Sequence, residues 1–462
     1  MEMRREIDSL GEKAVSKSSY YGIQTLRATE NFPVSGIKHP AVFIKTYVQV
    51  KKAAAQANME VGWLDTKIGT AIVEACDEVL VGKLLDQFVV DVFQAGAGTS
   101  FNMNVNEVLA NRALELLDKE KGDYKTVSPN DHVNMAQSTN DTFPTALHVS
   151  VLTALQPLLV EVKSLAEAFE KLSAKYIKVL KSGRTHLQDA LPVTVGQEFG
   201  AYASALRNAL TQLMERQGEL YPVALGATAT GTGANTHPRY KRIAIANLRE
   251  MTKLPLTHAK NPFEALQSSR PIQAVSSGLK ELALELIRIA NDLRLLASGP
   301  TTGLAEVELP AVQPGSSIMP GKVNPVMAEC MDMVAFQVIG NDLATSFAVQ
   351  AGQLELNVMT PLIMHNLLFS IQLLCNYLPV FRKKFVEGIR VDEKRCASYL
   401  EKNPALATFL SPKIGYLEAS KIANLALEKG RSVKEIALEK GLLTAEELEK
   451  LLNPKRLLSE KR

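Results

Sequence analysis

The sequence predicts an all-α protein: an elongated central five-helix bundle with smaller, mostly helical N- and C-terminal domains. Within residues 144–181, apolar residues recur in alternating steps of four and three, a heptad seam typical of long packed helices. The seam consists of Leu158, Val162, Leu165, Phe169, Leu172, Tyr176 and Val179. At 1.5 Å per residue this helix is roughly 55 Å long, and Gly183 is expected to end it.

A helix of that length needs long neighbours to bury its apolar seam. Four further segments have the helical period: 196–220, 273–297, 325–350 and 354–388. The segment 273–297 also has Leu284 and Ile287 on its other face, so we expect it to be buried on several sides. So much apolar helix surface indicates burial between subunits.

The chain divides into three predicted domains. Stretches rich in turn residues indicate a mixed, mostly helical N-terminal domain at residues 1–140. The long helices occupy a central domain at 141–390, and shorter helices form a C-terminal domain at 391–462. In the last domain "TAEE", residues 444–447, predicts a capping box at the start of one helix.

The composition argues against several classes of function. The 462 residues include 52 basic and 49 acidic ones, and no run of Lys or Arg resembles a nucleic-acid-binding patch. No run of about 18 apolar residues occurs and the N-terminus lacks the apolar core of a signal peptide, so we expect no membrane contact and a cytoplasmic protein. The four cysteines and seven histidines show no CxxC or HxxxH spacing, so we expect reduced thiols and no metal site.

Three polar, glycine-containing stretches interrupt the apolar helices: residues 94–107 with 130–141, residues 182–194, and "GSSIMPGKVNP" at 315–325. Their polar groups are mostly hydroxyls and amides, which suit a small anionic substrate held by neutral hydrogen bonds and one cation. No Walker, GxGxxG or GxSxG motif fits these stretches or the glycine-rich "GATATGTGAN" at 226–235. The remaining chemistry is proton abstraction beside a carboxylate, which needs a base and donors that stabilise an oxyanion.

Ser316 is the candidate base, although a serine hydroxyl is a poor base unless a cation and backbone N–H groups stabilise its alkoxide. Lys322 in the same stretch and the start of a helix near Pro325 could supply that stabilisation. The glycines would let the stretch open and close over a substrate as a lid. Taken singly, the residues have simpler interpretations: Ser316 as a turn residue, Lys322 as a solvated charge, His186 as a core histidine, and Asn140 with Asp141 as a helix cap.

Together the stretches resemble the signature regions of the fumarase/aspartase superfamily. The matching regions are "GTSFNMNVNEVLANR", "SGRTHLQDALPVTVGQE" and "GSSIMPGKVNP", in the expected order, and the resemblance extends over essentially the whole chain. It implies a homotetramer whose central helices form the core, with each active site shared between three subunits. It also implies a small dicarboxylate substrate and no required cofactor.

The resemblance further implies a role for each matching residue. Ser316 is the base that takes the C3 proton, and Lys322 and Asn324 bind the substrate and the aci-carboxylate intermediate. The residues that hold the carboxylates and, in aspartases, the amino group are Thr99, Ser138, Thr139 and Asn140. Thr185 and His186 complete the site. His186 is implied to be a catalytic residue, and Glu329 is expected to pair with it.

Several details favour aspartases, which convert L-aspartate reversibly to fumarate and ammonia: "YYGIQTLRATENFPVS", "QSTND", "GQLELNVM", and "SPND" without the histidine that fumarases place before PND. Two others, "NPFEAL" and "NTHPRY", resemble fumarases, so fumarate hydratase is the alternative. Thr301 stands in "SGPTTG" where both groups usually have arginine, which leaves the anchoring of the lid open. A non-catalytic scaffold protein, like the lens crystallins of this superfamily, is a remote alternative because Ser316, Lys322 and Asn324 are intact.

Overall fold

The structure is a computed structural model that describes residues 2–453 and residue 458. The all-α prediction is confirmed, because α-helices make up most of this part of the chain. They are α1 Ile23–Asn31, α2 Ala41–Glu60, α3 Thr66–Leu80, α4 Thr99–Leu116, α5 Thr139–Lys175, α6 Val195–Gln217, α7 Tyr240–Thr252, α8 Pro262–Gln267, α9 Arg270–Leu296, α10 Val326–Gln350, α11 Thr360–Lys384, α12 Glu393–Lys402, α13 Ser411–Ile414, α14 Tyr416–Lys429, α15 Val433–Glu439 and α16 Ala445–Leu451. The end of the predicted C-terminal domain, at 454–457 and 459–462, lies outside the described residues.

The sequence did not predict the short strands, which join in two-stranded pairs. The antiparallel pairs are β1 Met3–Asp8 with β2 Gly11–Ser16, β3 Leu180–Thr185 with β4 Gln188–Thr194, and β7 Val307–Glu308 with β8 Arg390–Val391. The strands β5 Pro222–Val223 and β6 Thr257–His258 pair in parallel. The predicted capping box is confirmed, since Thr444 caps α16 reciprocally with Glu447.

Helix α5 contains most of the predicted seam but ends earlier than expected. It ends at Lys175 and the chain then forms β3, so the expected helix stop at Gly183 is wrong. After Lys175 the carbonyls of Tyr176 and Val179 accept the N–H groups of Gly196 and Val195 at the start of α6, at 3.0 and 2.9 Å, instead of continuing the helix. Gly183 lies within β3, where an added Cβ atom would come 2.5 Å from the carbonyl oxygen of Leu191 in β4.

The chain divides into two compact units. The first unit comprises Met1–Leu159, Thr211–Glu281 and Phe336–Leu374, and the second comprises Val160–Leu210, Leu282–Ala335 and Cys375–Arg462. The predicted domain boundaries at residues 140 and 390 stay a prediction.

An aromatic cluster forms part of the core of the first unit. Phe43 and Tyr47 of α2 pack against Phe101 of α4 and Phe143 of α5, with ring centroids 4.9 to 6.0 Å apart. Such ring pairs add stability beyond the apolar area that they bury. The cluster therefore fixes the starts of α4 and α5, where Thr99, Thr139 and Asn140 lie and which Ser138 directly precedes.

In the second unit, side chains join the five long helices in a closed series. The links are Phe169 to Tyr202 (α5 to α6, ring centroids 5.7 Å apart), Tyr202 to Asp292 (α6 to α9, 3.1 Å), Arg294 to Asp332 (α9 to α10, 3.1 Å), Tyr377 to the Met327 carbonyl (α10 to α11, 2.8 Å) and Arg382 to Glu161 (α11 to α5, 3.6 Å). This series confirms the predicted five-helix bundle for the part of the chain within this unit.

Two helical segments are apolar enough to cross a membrane by length and composition alone. They are Thr139–Lys175 and Thr360–Gly388, and 61% and 50% of their most apolar windows are buried inside the protein. Core helices of proteins without a membrane pass the same test, so the finding is weak evidence for a membrane span.

Candidate active site

Thr99 is the first residue of α4 and faces a cavity of about 740 Å³ in the first unit. The helix begins here because Gly98 adopts a φ of +86° and the Gln94 side-chain oxygen accepts the N–H of Phe101 at 2.8 Å. The polar side chains that line the cavity are Asp8, Ser9, Gln24, Arg27, Asn31, Thr99, Ser100, Glu107, Tyr124, Ser128 and Asn130. Thr99 is exposed, so its hydroxyl is accessible to a ligand.

Sequence reasoning missed Arg27, which is the cation of this cavity. Asp8 holds its guanidinium through two contacts of 2.8 and 3.0 Å, and this pairing lowers the pKa of the Asp8 carboxyl. The available signal was its position in "YYGIQTLRATENF", which the sequence reasoning used only to distinguish aspartases from fumarases.

Gly98 has no room for a side chain. An added Cβ atom would overlap the Phe143 ring, and its positive φ is costly for other residues. We expect Gly98→Ala to lower the free energy of unfolding, measured by urea denaturation, by about 2–4 kcal/mol through overpacking and backbone strain. Gly82→Ala is the control, because Gly82 has a φ of +100° with open space around it. If both variants lost the same free energy of unfolding, the Phe143 ring would accommodate the added methyl group without a measurable packing penalty.

The second group of predicted residues, Ser138, Thr139 and Asn140, forms the turn into α5. The Ser138 hydroxyl accepts the N–H of Asn140 at 3.1 Å, as a residue capping a helix start does. The Asn140 side-chain amide donates to the carbonyl of Ala229 at 2.8 Å, in the glycine-rich stretch. Thr139 is buried, whereas Ser138 and Asn140 are half-buried.

Thr185 and His186 lie at the tip of the β3–β4 hairpin in the second unit, and both are exposed. His186 and Leu187 form its two-residue loop, with φ values of +55° and +60°. A type I′ turn requires positive φ at both positions, and glycine or asparagine usually occupies them. Backbone strain of this kind is typical of functional sites.

A buried ion network anchors the hairpin at its base. The Glu306 carboxylate accepts two hydrogen bonds from Arg184 at 2.8 and 3.0 Å and lies 2.8 Å from the Lys181 ammonium, which also pairs with Glu198 at 2.9 Å. Burial by itself raises the pKa of Glu306, but Arg184 and Lys181 outweigh it and lower the pKa below its ordinary value. Arg184 directly precedes Thr185, so the network fixes where the tip begins.

The predicted lid, "GSSIMPGKVNP", has neither helix nor strand. The Ser316 hydroxyl oxygen accepts the N–H groups of Met319 at 3.0 Å and Ile318 at 3.3 Å. Such donors stabilise an alkoxide, and they come from the lid itself instead of from the helix start near Pro325. Lys322 is exposed, so its ammonium is available to a substrate carboxylate.

The two ends of the lid are tied together. The Asn324 side-chain amide donates to the carbonyl of Gly315, and an added Cβ atom at Gly315 would overlap the carbonyl oxygen of Lys322. Asn324, predicted to bind substrate, thus has a structural contact within the lid.

The turn before the lid, which contains Thr301, is held by α12. Arg395 donates to the Pro300 carbonyl at 2.8 Å, and Tyr399 donates to the Gly303 carbonyl at 3.2 Å. Sequence reasoning missed both anchors because they lie about 95 residues away.

The structure therefore groups the predicted residues in two sets. Thr99, Ser138, Thr139 and Asn140 lie in the first unit, and Thr185, His186, Ser316, Lys322, Asn324 and Glu329 lie in the second. Glu329 is in the first turn of α10, and within the described chain no ion pair joins it to His186. That pairing stays a prediction for an assembled protein. Among residues 2–453 and 458, no three His, Cys, Asp or Glu side chains are grouped as a metal site requires.

The chain matches two known protein families along most of its length. The family described as "Lyase" matches residues 11–340, and the family described as "Fumarase C C-terminus" matches residues 406–459. The chain is 49% identical to an aspartate ammonia-lyase of Bacillus sp, over 98% of this chain and 97% of that protein. It is 50% identical to the aspartate ammonia-lyase of Bacillus subtilis, over 98% and 95%.

Solved structures give the same fold. A fumarate lyase:delta crystallin from Brucella melitensis, bound to cobalt, superposes with a TM-score of 0.96 at 46% identity, over 99% of this chain and 100% of that one. A recombinant class II fumarase from Schistosoma mansoni superposes with a TM-score of 0.96 at 36% identity, over 100% of both chains.

Proposed function

The chain belongs to the fumarase/aspartase family of lyases, and we propose that it is an aspartate ammonia-lyase, which converts L-aspartate reversibly to fumarate and ammonia. The observation that carries this proposal is the 49–50% identity to two aspartate ammonia-lyases over nearly full length, compared with 36% to a class II fumarase over full length. "QSTND" and "GQLELNVM" support the same choice.

Ser316 removes the C3 proton of aspartate on the side opposite the leaving ammonia. The electron pair of the C–H bond moves onto the β-carboxylate as an aci-carboxylate, then forms the C2–C3 double bond as the C–N bond breaks. Hydroxyls, amides and Lys322 stabilise the added negative charge. The lid N–H groups of Ile318 and Met319 support this role by stabilising the Ser316 alkoxide.

Fumarate formation tests the proposal directly. We expect the purified protein to form fumarate, followed by its ultraviolet absorbance, from L-aspartate and not from L-malate. "NPFEAL" and "NTHPRY" favour the fumarase alternative, which predicts the opposite preference. Absence of turnover with both substrates would favour a non-catalytic scaffold protein. The Ser316→Ala variant, purified in the same way, controls for contaminating host enzymes.

We further propose a cytoplasmic homotetramer with active sites shared between three subunits. Helix α10 supports assembly, because Met333, Phe336, Leu343 and Phe347 recur at heptad spacing and are 57–64% exposed in the isolated chain. The four free cysteines support a reducing compartment. Light scattering of the purified protein tests the assembly, and a monomeric mass at full activity would contradict the shared sites.

We expect His186→Ala to lower kcat/KM for L-aspartate by about 100-fold, since the imidazole at the hairpin tip contributes binding and proton transfer. His186→Asn is the control, because asparagine tolerates the left-handed backbone of the turn. If kcat/KM falls in both variants, the imidazole itself is required. If it falls only in the alanine variant, the loss comes from a disturbed turn. An unchanged kcat/KM in both would remove His186 from the site.

A further inference from the structure

A buried polar cluster lies behind the Ser138–Asn140 turn in the first unit. We call Tyr47, Lys51, Asn102, Asp141 and Thr142 the turn-support cluster; all five are at most 2% exposed. None of them was assigned a role in substrate binding. Buried polar groups are costly unless they are hydrogen-bonded, so the contacts that they make indicate what they hold in place.

The cluster holds both backbone groups of Ser138. Asp141 Oδ1 accepts the Ser138 N–H at 3.0 Å, and the Thr142 hydroxyl donates to the Ser138 carbonyl at 2.9 Å. Behind Thr142, the Tyr47 hydroxyl lies 2.8 Å from the Thr142 hydroxyl and 3.0 Å from Asn102 Oδ1. Lys51 donates to the same Asn102 oxygen at 2.6 Å and completes the chain of hydrogen bonds. The position of Ser138 is thus fixed from two directions.

The other oxygen of Asp141 attaches the glycine-rich stretch to the turn. Asp141 Oδ2 accepts the N–H groups of Gly226 and Thr228, each at 2.9 Å. Gly226 adopts its φ of +88° freely, but a φ of +57° is costly for the β-branched Thr228, so the carboxylate stabilises a strained backbone there. Asn140 reinforces the attachment through the Ala229 carbonyl. This accounts for "GATATGTGAN", which matched no nucleotide-binding motif.

The two charges of the cluster are costly to bury. Lys51 and Asp141 form no direct ion pair with each other or with other described residues, and burial lowers the pKa of Lys51 to about 7 and raises that of Asp141 to about 6. An apolar core of the same shape would avoid this desolvation cost. Stability alone therefore does not explain these residues, whereas a turn that must present three polar side chains in fixed positions does.

We propose that Asp141, supported by Tyr47 and Lys51, is a positioning residue that holds Ser138, Thr139 and Asn140 in the geometry that binds the substrate carboxylates. This inference rests on the proposed function, because it concerns the same site. Asp141 acts on the substrate only through the backbone of the turn and the attached stretch.

The test compares Asp141→Asn with a matched control. Asparagine has the same shape as aspartate, but its NH2 group cannot accept a hydrogen bond. It would therefore face at least one of the backbone N–H groups that now donate to the carboxylate. Because misplacement by about 1 Å can cost about 100-fold, we expect KM for L-aspartate to rise at least about tenfold. The dissociation constant of succinate, measured by calorimetry, should rise similarly, since succinate has both carboxylates and no leaving group. Asp91→Asn is the control: Asp91 is also buried and accepts the N–H groups of Ser35, Gly36 and Phe93.

The outcomes separate the inference from the proposed function. A folded Asp141→Asn protein with wild-type KM and succinate affinity, and only a lower melting temperature, would overturn the positioning role. If Asp141→Asn does not fold, the Tyr47→Phe variant tests the positioning role instead. An increase in KM for L-aspartate of about threefold would support that role, and an unchanged KM would overturn it. Wild-type protein that neither forms fumarate nor binds succinate would overturn both proposals, whereas an active wild type with unaffected variants would overturn only this one.

Discussion

Ser316→Ala is expected to lower kcat for L-aspartate by about ten-thousand-fold while leaving the protein folded and assembled, because removal of a general base eliminates the proton transfer that it performs. That loss corresponds to about 5.4 kcal/mol in the activation free energy. The hydroxyl oxygen is the acceptor of two N–H groups in the lid, so alanine also leaves those donors without their partner. Circular dichroism and light scattering would verify that fold and assembly persist.

Ser317→Ala is the matched control for this prediction. Ser317 is the adjacent residue of the same lid and is exposed, so its loss tests the lid without the base. We expect its kcat to stay within about tenfold of wild type, as for most surface substitutions away from the chemistry. Near-normal turnover in Ser316→Ala would refute the assignment of the base.

Glu306→Ala is expected to destabilise the protein by about 3–5 kcal/mol, because it breaks a buried ion network: Lys181 keeps only Glu198, and Arg184 loses its carboxylate partner. The side chains of Glu306 and Lys181 are 1% and 3% exposed, so solvent cannot replace the lost partner. The Glu306 backbone carbonyl, which accepts the N–H of Asp392 just before α12, is retained in the alanine variant and does not contribute to this loss. Urea denaturation at neutral pH measures the effect.

The pH dependence provides a second measurement of the same network. The pKa of Glu306 is lower in the folded protein than its ordinary value of 4.5, so its stabilising contribution is present above that value and is lost as the pH falls through the folded-state pKa. The difference in the free energy of unfolding between wild type and Glu306→Ala should therefore shrink below about pH 4.5.

Glu170→Ala is the control for Glu306→Ala. It removes a half-exposed partner of Arg207 and should lower the free energy of unfolding by under about 1 kcal/mol. If Glu306→Ala lowered the free energy of unfolding by as little as Glu170→Ala, the buried ion network would not stabilise the fold.

The long helices were predictable because their signal is local. The apolar period of residues 158–176 depends only on neighbours three and four positions away, and the structure buries that seam. The paired strands were not predictable in this way, since the stretch that forms β3 and β4 contains Gly183 and Pro192 and lacks the alternating apolar residues typical of strands. The two-residue loop at His186 and Leu187 lacks the glycine or asparagine that usually signals a hairpin.

The candidate site was predictable in part. The residues that carry the chemistry occur in three recognisable stretches, so Ser316, Lys322 and His186 could be named from the sequence. Their supports could not, because they come from distant parts of the chain: Asp141 binds N–H groups 85 and 87 positions away, and Glu306 binds Arg184 across 122 positions. No periodicity or turn preference relates residues at such separations.

The tight hairpin tip restricts how this region can diverge among descendants of the same gene. Thr185 pairs with Gln188, so the two residues between them already form the shortest common loop. Deleting one residue there would leave too short a loop for this pairing and force β4 to shift, whereas inserting one would replace the tight turn with a three-residue loop. Point substitutions at the tip leave the register intact. We therefore expect this tip to tolerate point substitutions better than deletions.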